Sequence, residues 1–229
     1  MCARMIDYKL AFDGLFSGDD RRVGVIMGTG PSLTDDVIEK TKKFKRFGAN
    51  LTYRLGADVV LGCNSEFWDY YERDARIYPC DKWTTRPQAL ENKWEGVNYI
   101  EERWIAGLSR DKSRVAAHHG SGPQVVNLAY HYGCKVMLLV GWDMRYGGKL
   151  DNKSYTMPRH YFGEYPTSMQ HWPRTGADGE LTGLIKEMET IYPEEYGIKI
   201  INCTPDSALR CFPMMCLDEA IEEYGAGYV

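Results

Sequence analysis

The stretch Val23-Gly24-Val25-Ile26-Met27-Gly28-Thr29-Gly30-Pro31-Ser32-Leu33 decides the fold. Its first five residues are an apolar run without polar alternation, the pattern of a strand buried on both faces of a parallel sheet. The run passes directly into a glycine-rich bend. Ser32 stands three residues before Asp35, a capping spacing that predicts a helix over about 34–47. Gly28 and Gly30 tolerate positive φ and close backbone approach, and a helix opening at Pro31-Ser32 turns free N–H groups and a positive dipole end toward an anion. The bend therefore reads as a phosphate loop. It is not the dinucleotide fingerprint, because Leu33 stands where the third glycine belongs, and it lacks the Gly-Lys-Ser/Thr of a Walker loop. A Gly-x-Gly of this kind also serves as a plain strand-to-helix turn, and both readings stand.

Working outward, Ala57–Cys63 is a second buried strand that ends at Asn64 and Ser65, with a helix from Glu66. Residues 76–118 hold short strand-like pieces such as Val97–Ile100 and no long helix. Gly120-Ser121-Gly122-Pro123 opens a helix carried by Val125, Leu128, Ala129 and Tyr132, where Ser121 and the adjacent amides suit a second phosphate or a carboxylate, or simply cap the helix. Lys135–Val140 is the third buried strand, ending in Gly141-Trp142-Asp143. Leu181, Leu184, Ile185, Met188 and Ile191 mark a further helix, and Ile198–Ile201 leads into Asn202-Cys203-Thr204. Strands alternating with helices predict a Rossmann-like α/β fold, a mostly parallel sheet with helices on both faces. Residues 1–22 read as an adaptor segment and 23–229 as a single nucleotide-binding domain, with the polar, aromatic stretch 144–175 as a lid. Ligands of such sheets bind beyond the carboxyl ends of the strands, so the four polar strand ends are expected to converge on one cleft.

Composition bounds the partners. The formal net charge is −4, which argues against duplex DNA, and the cluster Lys40–Arg46 follows Asp35, Asp36 and Glu39 in the order that a solvated helix end favours. Seven cysteines, with no C-x-x-C pair and no secretory leader, point to reduced thiols in a cytoplasm rather than to disulfides or zinc. No apolar run reaches the roughly 20 residues of a membrane span. Aromatic residues make up 13%, which suits a ring-binding pocket, a bulky core or, in the exposed-looking stretch 142–172, a self-associating interface.

Taken in order, Val25–Leu33, Cys63-Asn64, Ser121-Gly122, Lys135–Asp143 and His160-Tyr161-Phe162-Gly163 resemble the motifs of bacterial lipooligosaccharide sialyltransferases. They are also similar to a broader group that includes motility-associated glycosyltransferases and the archaeal 6-hydroxymethylpterin pyrophosphokinase. The tail Asn202–Pro213 looks most like bacteriophage relatives of that group, which would place the chain in a host cytoplasm. The sialyltransferase branch implies a nucleotide-sugar donor and no required cofactor or metal. It implies that Gly28, Thr29, Gly30 and Ser32 lie under the donor, that Asn64 and the neighbouring Ser65 meet the nucleotide, and that Ser121 and Gly122 hold its phosphate or sugar. Trp142, Asp143 and Thr204, at strand ends, join the same substrate-binding set, as does Tyr161. Tyr146 or Tyr155 would donate to the leaving phosphate. The family's general base closes a His-Tyr-x-Gly-His run; here Glu164 follows Gly163, so Glu164, His160 or His171 is the candidate base. Glu164 is also readable as an exposed lid carboxylate and His160 as a packed histidine, and His171, farther along the lid, is the weaker base candidate.

The primary expectation is an inverting, metal-independent glycosyltransferase acting on a hydroxyl acceptor, in keeping with the absence of a D-x-D pair. The alternative, implied by the pterin enzyme, is magnesium-dependent phosphoryl or pyrophosphoryl transfer from a nucleoside triphosphate, with Asp143 and Asp151 as metal ligands. A third reading is a nucleotide-binding phage protein without turnover.

Overall fold

The computed structural model describes residues 6–116, 120–145, 161–163 and 177–225. Among the described residues nine strands run in chain order: β1 Val23–Met27, β2 Lys45–Ala49, β3 Val59–Leu61, β4 Asp81–Thr84, β5 Val97–Tyr99, β6 Glu101–Arg103, β7 Arg114–Ala116, β8 Val136–Val140 and β9 Lys199–Asn202. The α-helices are α1 Tyr8–Phe12, α2 Asp35–Thr41, α3 Ser65–Ala75, α4 Ser121–His131, α5 Ala177–Met188 and α6 Leu217–Gly225. Seven strands form one sheet in the order β5-β4-β3-β2-β1-β8-β9, while β6 and β7 pair separately. Every pairing is parallel. This is the Rossmann-like α/β arrangement that the strand and helix pattern leads one to expect.

Each face of the sheet carries its own core. Ile26, Phe47, Val59, Leu61, Met137, Leu139 and Ile200 face α4 and the N-terminal segment. Val23, Val25, Met27, Val60, Leu138, Val140 and Ile201 face α2, α3 and α6. Burial on both faces is why these strands read as continuous apolar runs. Phe12 and Phe16, in the segment read as an adaptor, are buried in the first of these cores, where Phe12 stacks on Trp83 at 5.0 Å between ring centroids.

The region after the glycine-rich bend differs from expectation. The helix anticipated over 34–47 stops at Thr41, and its cap is Thr34, whose hydroxyl accepts from Val37 N–H, rather than Ser32. Lys45–Ala49, read as a basic helix end, is instead strand β2, paired with β1 on one side and β3 on the other. Its sequence, Lys-Arg-Phe-Gly-Ala, carries little β signal; sheet pairing on both sides overrides local propensity.

The chain lays down β1 to β5 in one direction and then returns past β1 to add β8 and β9. The order therefore reverses between β1 and β8, and the crevice beyond their carboxyl ends is the switch point where sheets of this type bind ligands.

Candidate functional site

A cleft of 190 Å³ opens at that switch point. One wall is the β1 loop, Gly28 to Pro31, and the other is Gly141 to Arg145 after β8. The end of β2 contributes Ala49 and Asn50, the start of α4 contributes Gly120, Ser121 and Gly122, and Leu181 and Leu184 of α5 close the apolar side. Asn50 (φ 52°) and Met144 (φ 49°) are non-glycine residues in the left-handed region, and both line the cleft. Backbone strain of this kind concentrates where surrounding structure holds a site in shape.

The β1 loop is zipped to β8. Gly28 N–H donates to Val140 O at 2.8 Å and Gly30 N–H to Gly141 O at 2.9 Å. A Cβ on Gly28 would lie 2.2 Å from Gly141 O, so glycine is required here for backbone contact within the protein. The anion nest expected from these two amides is thus already spent on the chain's own carbonyls. The next donor is also engaged: Ser32 Oγ donates to Asp143 Oδ2 at 2.7 Å, and Ser32 N–H to Asp143 Oδ1 at 3.2 Å. The Asp143 carboxylate rests against Gly30, where a Cβ would come within 2.0 Å of Oδ2. A carboxylate of the protein holds the anion seat of the loop.

The other expected phosphate site is differently disposed. Helix α4 begins at Ser121 with Gly120 as N-cap and no side-chain cap. An α-helix leaves the N–H groups of its first turn without intrahelical partners. Their position in the cleft gives it a concentration of positive dipole, worth about 0.3–1 kcal/mol toward an anion at the surface and more when sheltered. The Ser121 side chain, in contrast, turns to β3: its hydroxyl donates to Cys63 Sγ at 3.0 Å and accepts from Cys63 N–H at 3.2 Å. Burial pushes the Cys63 thiol up, with the Ser121 hydrogen bond opposing, so it stands as a neutral packing group.

The remaining sequence candidates divide. Gly28, Thr29, Gly30, Ser121, Gly122, Trp142 and Asp143 share the cleft, and Ser32 joins them through Asp143. Trp142 is only 3% exposed, its indole N–H donating to Ile26 O and its backbone N–H to the Thr204 hydroxyl, both at 2.9 Å. Trp142 and Thr204 therefore brace the cleft floor. Asn64 is the N-cap position of α3 and Ser65 its first residue, beside Cys63 and outside the cleft lining. Tyr161 docks on the β1 loop: its N–H donates to Thr29 O at 2.8 Å and its hydroxyl to Asp35 Oδ1 at 2.5 Å. The hydrogen bond to Asp35 raises the phenol's pKa. Glu164, His160, His171, Tyr146, Tyr155 and Asp151 lie outside the described residues. Asn50 was missed because the strand that presents it was read as helix.

Compared with family models, curated proteins and solved structures, the chain finds no match. Among the described residues no three His, Cys, Asp or Glu side chains gather as a metal-binding group, and no helix is long and apolar enough to cross a membrane.

Proposed function

We propose that this chain is a transferase whose β1–β8 cleft takes the phosphate-bearing part of a nucleotide-linked donor. The observation that carries the reading is the uncapped first turn of α4 opening into the crevice at the switch point of a parallel sheet. Phosphate would lie on those amides, and the apolar wall of Leu181 and Leu184 would exclude water and receive the less polar part of the ligand.

The transfer put first is glycosyl transfer, in line with the motif resemblance to lipooligosaccharide sialyltransferases. A lid base, Glu164, His160 or His171, accepts the proton of the acceptor hydroxyl. The oxygen attacks the anomeric carbon, and the bond to the donor phosphate breaks with its electron pair leaving on the nucleotide. Developing phosphate charge is met by the α4 amides, an arrangement already oriented before reaction. Tyr161, tied to Thr29 and Asp35, anchors the His160–Gly163 motif to the β1 loop.

A second reading, magnesium-dependent phosphoryl or pyrophosphoryl transfer, is favoured by one specific contact. Asp143 lies against the Ser32 hydroxyl at the strand end beside β1. A carboxylate next to a loop hydroxyl is a hard-oxygen pair that fits magnesium, an ion commonly held by one or two carboxylates together with substrate phosphates. When bound, the ion would neutralise charge on the phosphoryl group.

The test is thermal stabilisation by CMP-, UDP-, GDP- and dTDP-sugars and by ATP, each with magnesium or EDTA, followed by product analysis. Donor hydrolysis or transfer lost in Glu164→Gln supports glycosyl transfer. ATP consumption abolished by EDTA supports the second reading, and stabilisation without turnover would leave a binding protein. No stabilisation by any of them contradicts the proposal.

A further inference from the structure

We infer that the polar row Arg86, Glu102 and Gln124, beside the start of α4, reads the base-pairing edge of a guanine, so that the nucleotide taken by this protein is a guanosine nucleotide. The inference deepens the reading that phosphate lies on α4 and rests on it for where the base falls.

Three elements bring the row together. Arg86 follows β4, Glu102 lies in β6, and Gln124 is in the first turn of α4, three residues after Ser121. Arg86 Nε donates to Cys63 O, and Cys63 N–H in turn donates to the Ser121 hydroxyl on the cleft wall. A phosphate on the α4 amides therefore leaves the rest of a nucleotide within reach of these side chains.

The row is short of partners. Gln124 is 1% exposed, and its Nε2 donates to Glu102 Oε2 at 3.3 Å while its Oε1 has no partner. Turning the amide over would set its carbonyl against the Glu102 carboxylate, so the unmatched atom is fixed as an acceptor. Thr85, next to Arg86 in sequence and 3% exposed, has an unpartnered hydroxyl as well. Arg86 Nη1 stands 3.6 Å from Glu102 Oε1, too far for a hydrogen bond, and both side chains are about one-third exposed. A buried polar atom left without a partner costs about 1–3 kcal/mol, a cost that a donor on a ligand would relieve.

The order of the groups names the ligand. Arg86 offers a donor, Glu102 an acceptor and the Gln124 carbonyl a second acceptor. Guanine presents the complement side by side: the O6 acceptor, then the N1–H and N2–H donors. Glu102 leaves Gln124 Nε2 as it accepts from N1–H, which opens the amide carbonyl to N2–H. Cytosine and adenine would turn a ring nitrogen lone pair toward the Glu102 carboxylate. Uracil and thymine would set their second carbonyl against that of Gln124.

The experiment titrates GMP, AMP, CMP, UMP, inosine monophosphate and guanosine calorimetrically into the full chain, as wild type, Glu102→Gln and Gln124→Met. GMP is expected to bind at least about tenfold more tightly than AMP, CMP or UMP, the discrimination that one good pair of hydrogen bonds supplies. Inosine monophosphate, which lacks only the N2 amino group, should fall between. Glu102→Gln should bring GMP down to the level of the other bases, and Gln124→Met should erase the difference between GMP and inosine monophosphate. Circular dichroism confirms that the variants are folded, and if either is not, the wild-type ranking alone still decides. Equal affinity for the four bases, or preference for a base other than guanine, overturns the inference while leaving the phosphate reading intact. An unchanged GMP preference in folded Glu102→Gln does the same, as does a retained preference for GMP over inosine monophosphate in folded Gln124→Met. Guanosine binding as tightly as GMP keeps the base site and overturns the phosphate reading. No binding of any of these ligands overturns both.

Discussion

Ser32 and Asp143, 111 positions apart in sequence, meet across the β1–β8 junction through a hydroxyl–carboxylate hydrogen bond of 2.7 Å. The contact joins the two strand ends that define the switch point and fixes which charge the cleft presents. A loop of this composition suggests an anion seat; here the chain's own carboxylate sits in it, and the first turn of α4, without a side-chain cap, opens into the same cleft.

The two loop glycines should fail differently. Gly28→Ala drives its methyl into the Gly141 carbonyl, a backbone atom that cannot swing aside, whereas the closest contact for Gly30→Ala is the Asp143 side chain, with Gly141 O at 2.8 Å. Gly28→Ala should cost about 1–3 kcal/mol, the usual range for overpacking, and Gly30→Ala less. Chemical denaturation gives the order. Gly30→Ala should still abolish ligand stabilisation, because Asp143 must leave Ser32.

Thr204→Val tests the bracing role of the β9 end. It removes the acceptor of the buried Trp142 N–H while keeping the shape of the side chain. An unpaired buried donor costs about 1–3 kcal/mol, read as a lower denaturation midpoint at unchanged m-value. A change below a few tenths would mean that Trp142 finds another partner.

Acid sensitivity between pH 6.5 and 4 should trace to His131. Burial holds its imidazole down to about 4, partly opposed by its hydrogen bond to Arg114 O, against an ordinary 6.5. Over that window the unfolded chain binds a proton that the folded chain refuses. Stability is therefore complete above pH 6.5 and declines as pH falls to 4, by ~3 kcal/mol at most. Melting temperatures of wild type should drop across this range, and His131→Gln should flatten the drop.

Gly120→Asp probes the positive end of α4. An aspartate at the N-cap satisfies a first-turn N–H and favours the helix by up to about 1 kcal/mol, while placing a fixed negative charge in the cleft. The added Cβ comes to 3.3 Å from Leu184 Cδ2, a side-chain tip with room to shift. Folding stability should hold and nucleotide stabilisation should disappear. Retained stabilisation would place the ligand elsewhere.

The residues explain what could be read in advance. β1, β3, β8 and β9 are buried on both faces and announce themselves as apolar runs, and α3 and α4 follow from helical spacing and a glycine-rich start. β2 was hidden because Lys45 and Arg46 extend a basic run begun on α2, although Arg46 is only 9% exposed. β4 begins Asp81-Lys82, and the Lys82 ammonium donates to the Tyr78 and Cys80 carbonyls at 2.9 and 3.0 Å, hydrogen bonding that no periodicity reveals. Among site residues, the glycine loop, Ser121 and Asp143 were legible as types. Their pairing was not. That Gly28 and Gly30 serve β8, and that Ser32 holds Asp143, depends on sheet order, and sheet order depended on the unseen β2. Asn50 was lost with it.

The central claim is that phosphate lies on the first turn of α4. It is tested most directly by ¹H–¹⁵N correlation spectra of the labelled chain, titrated with the donor that stabilises it best, in magnesium. The account predicts the largest shifts at the Ser121 and Gly122 amides, followed by Ser32 and the Gly141–Asp143 turn. Shifts absent there, or centred on the opposite edge of the sheet, would contradict it.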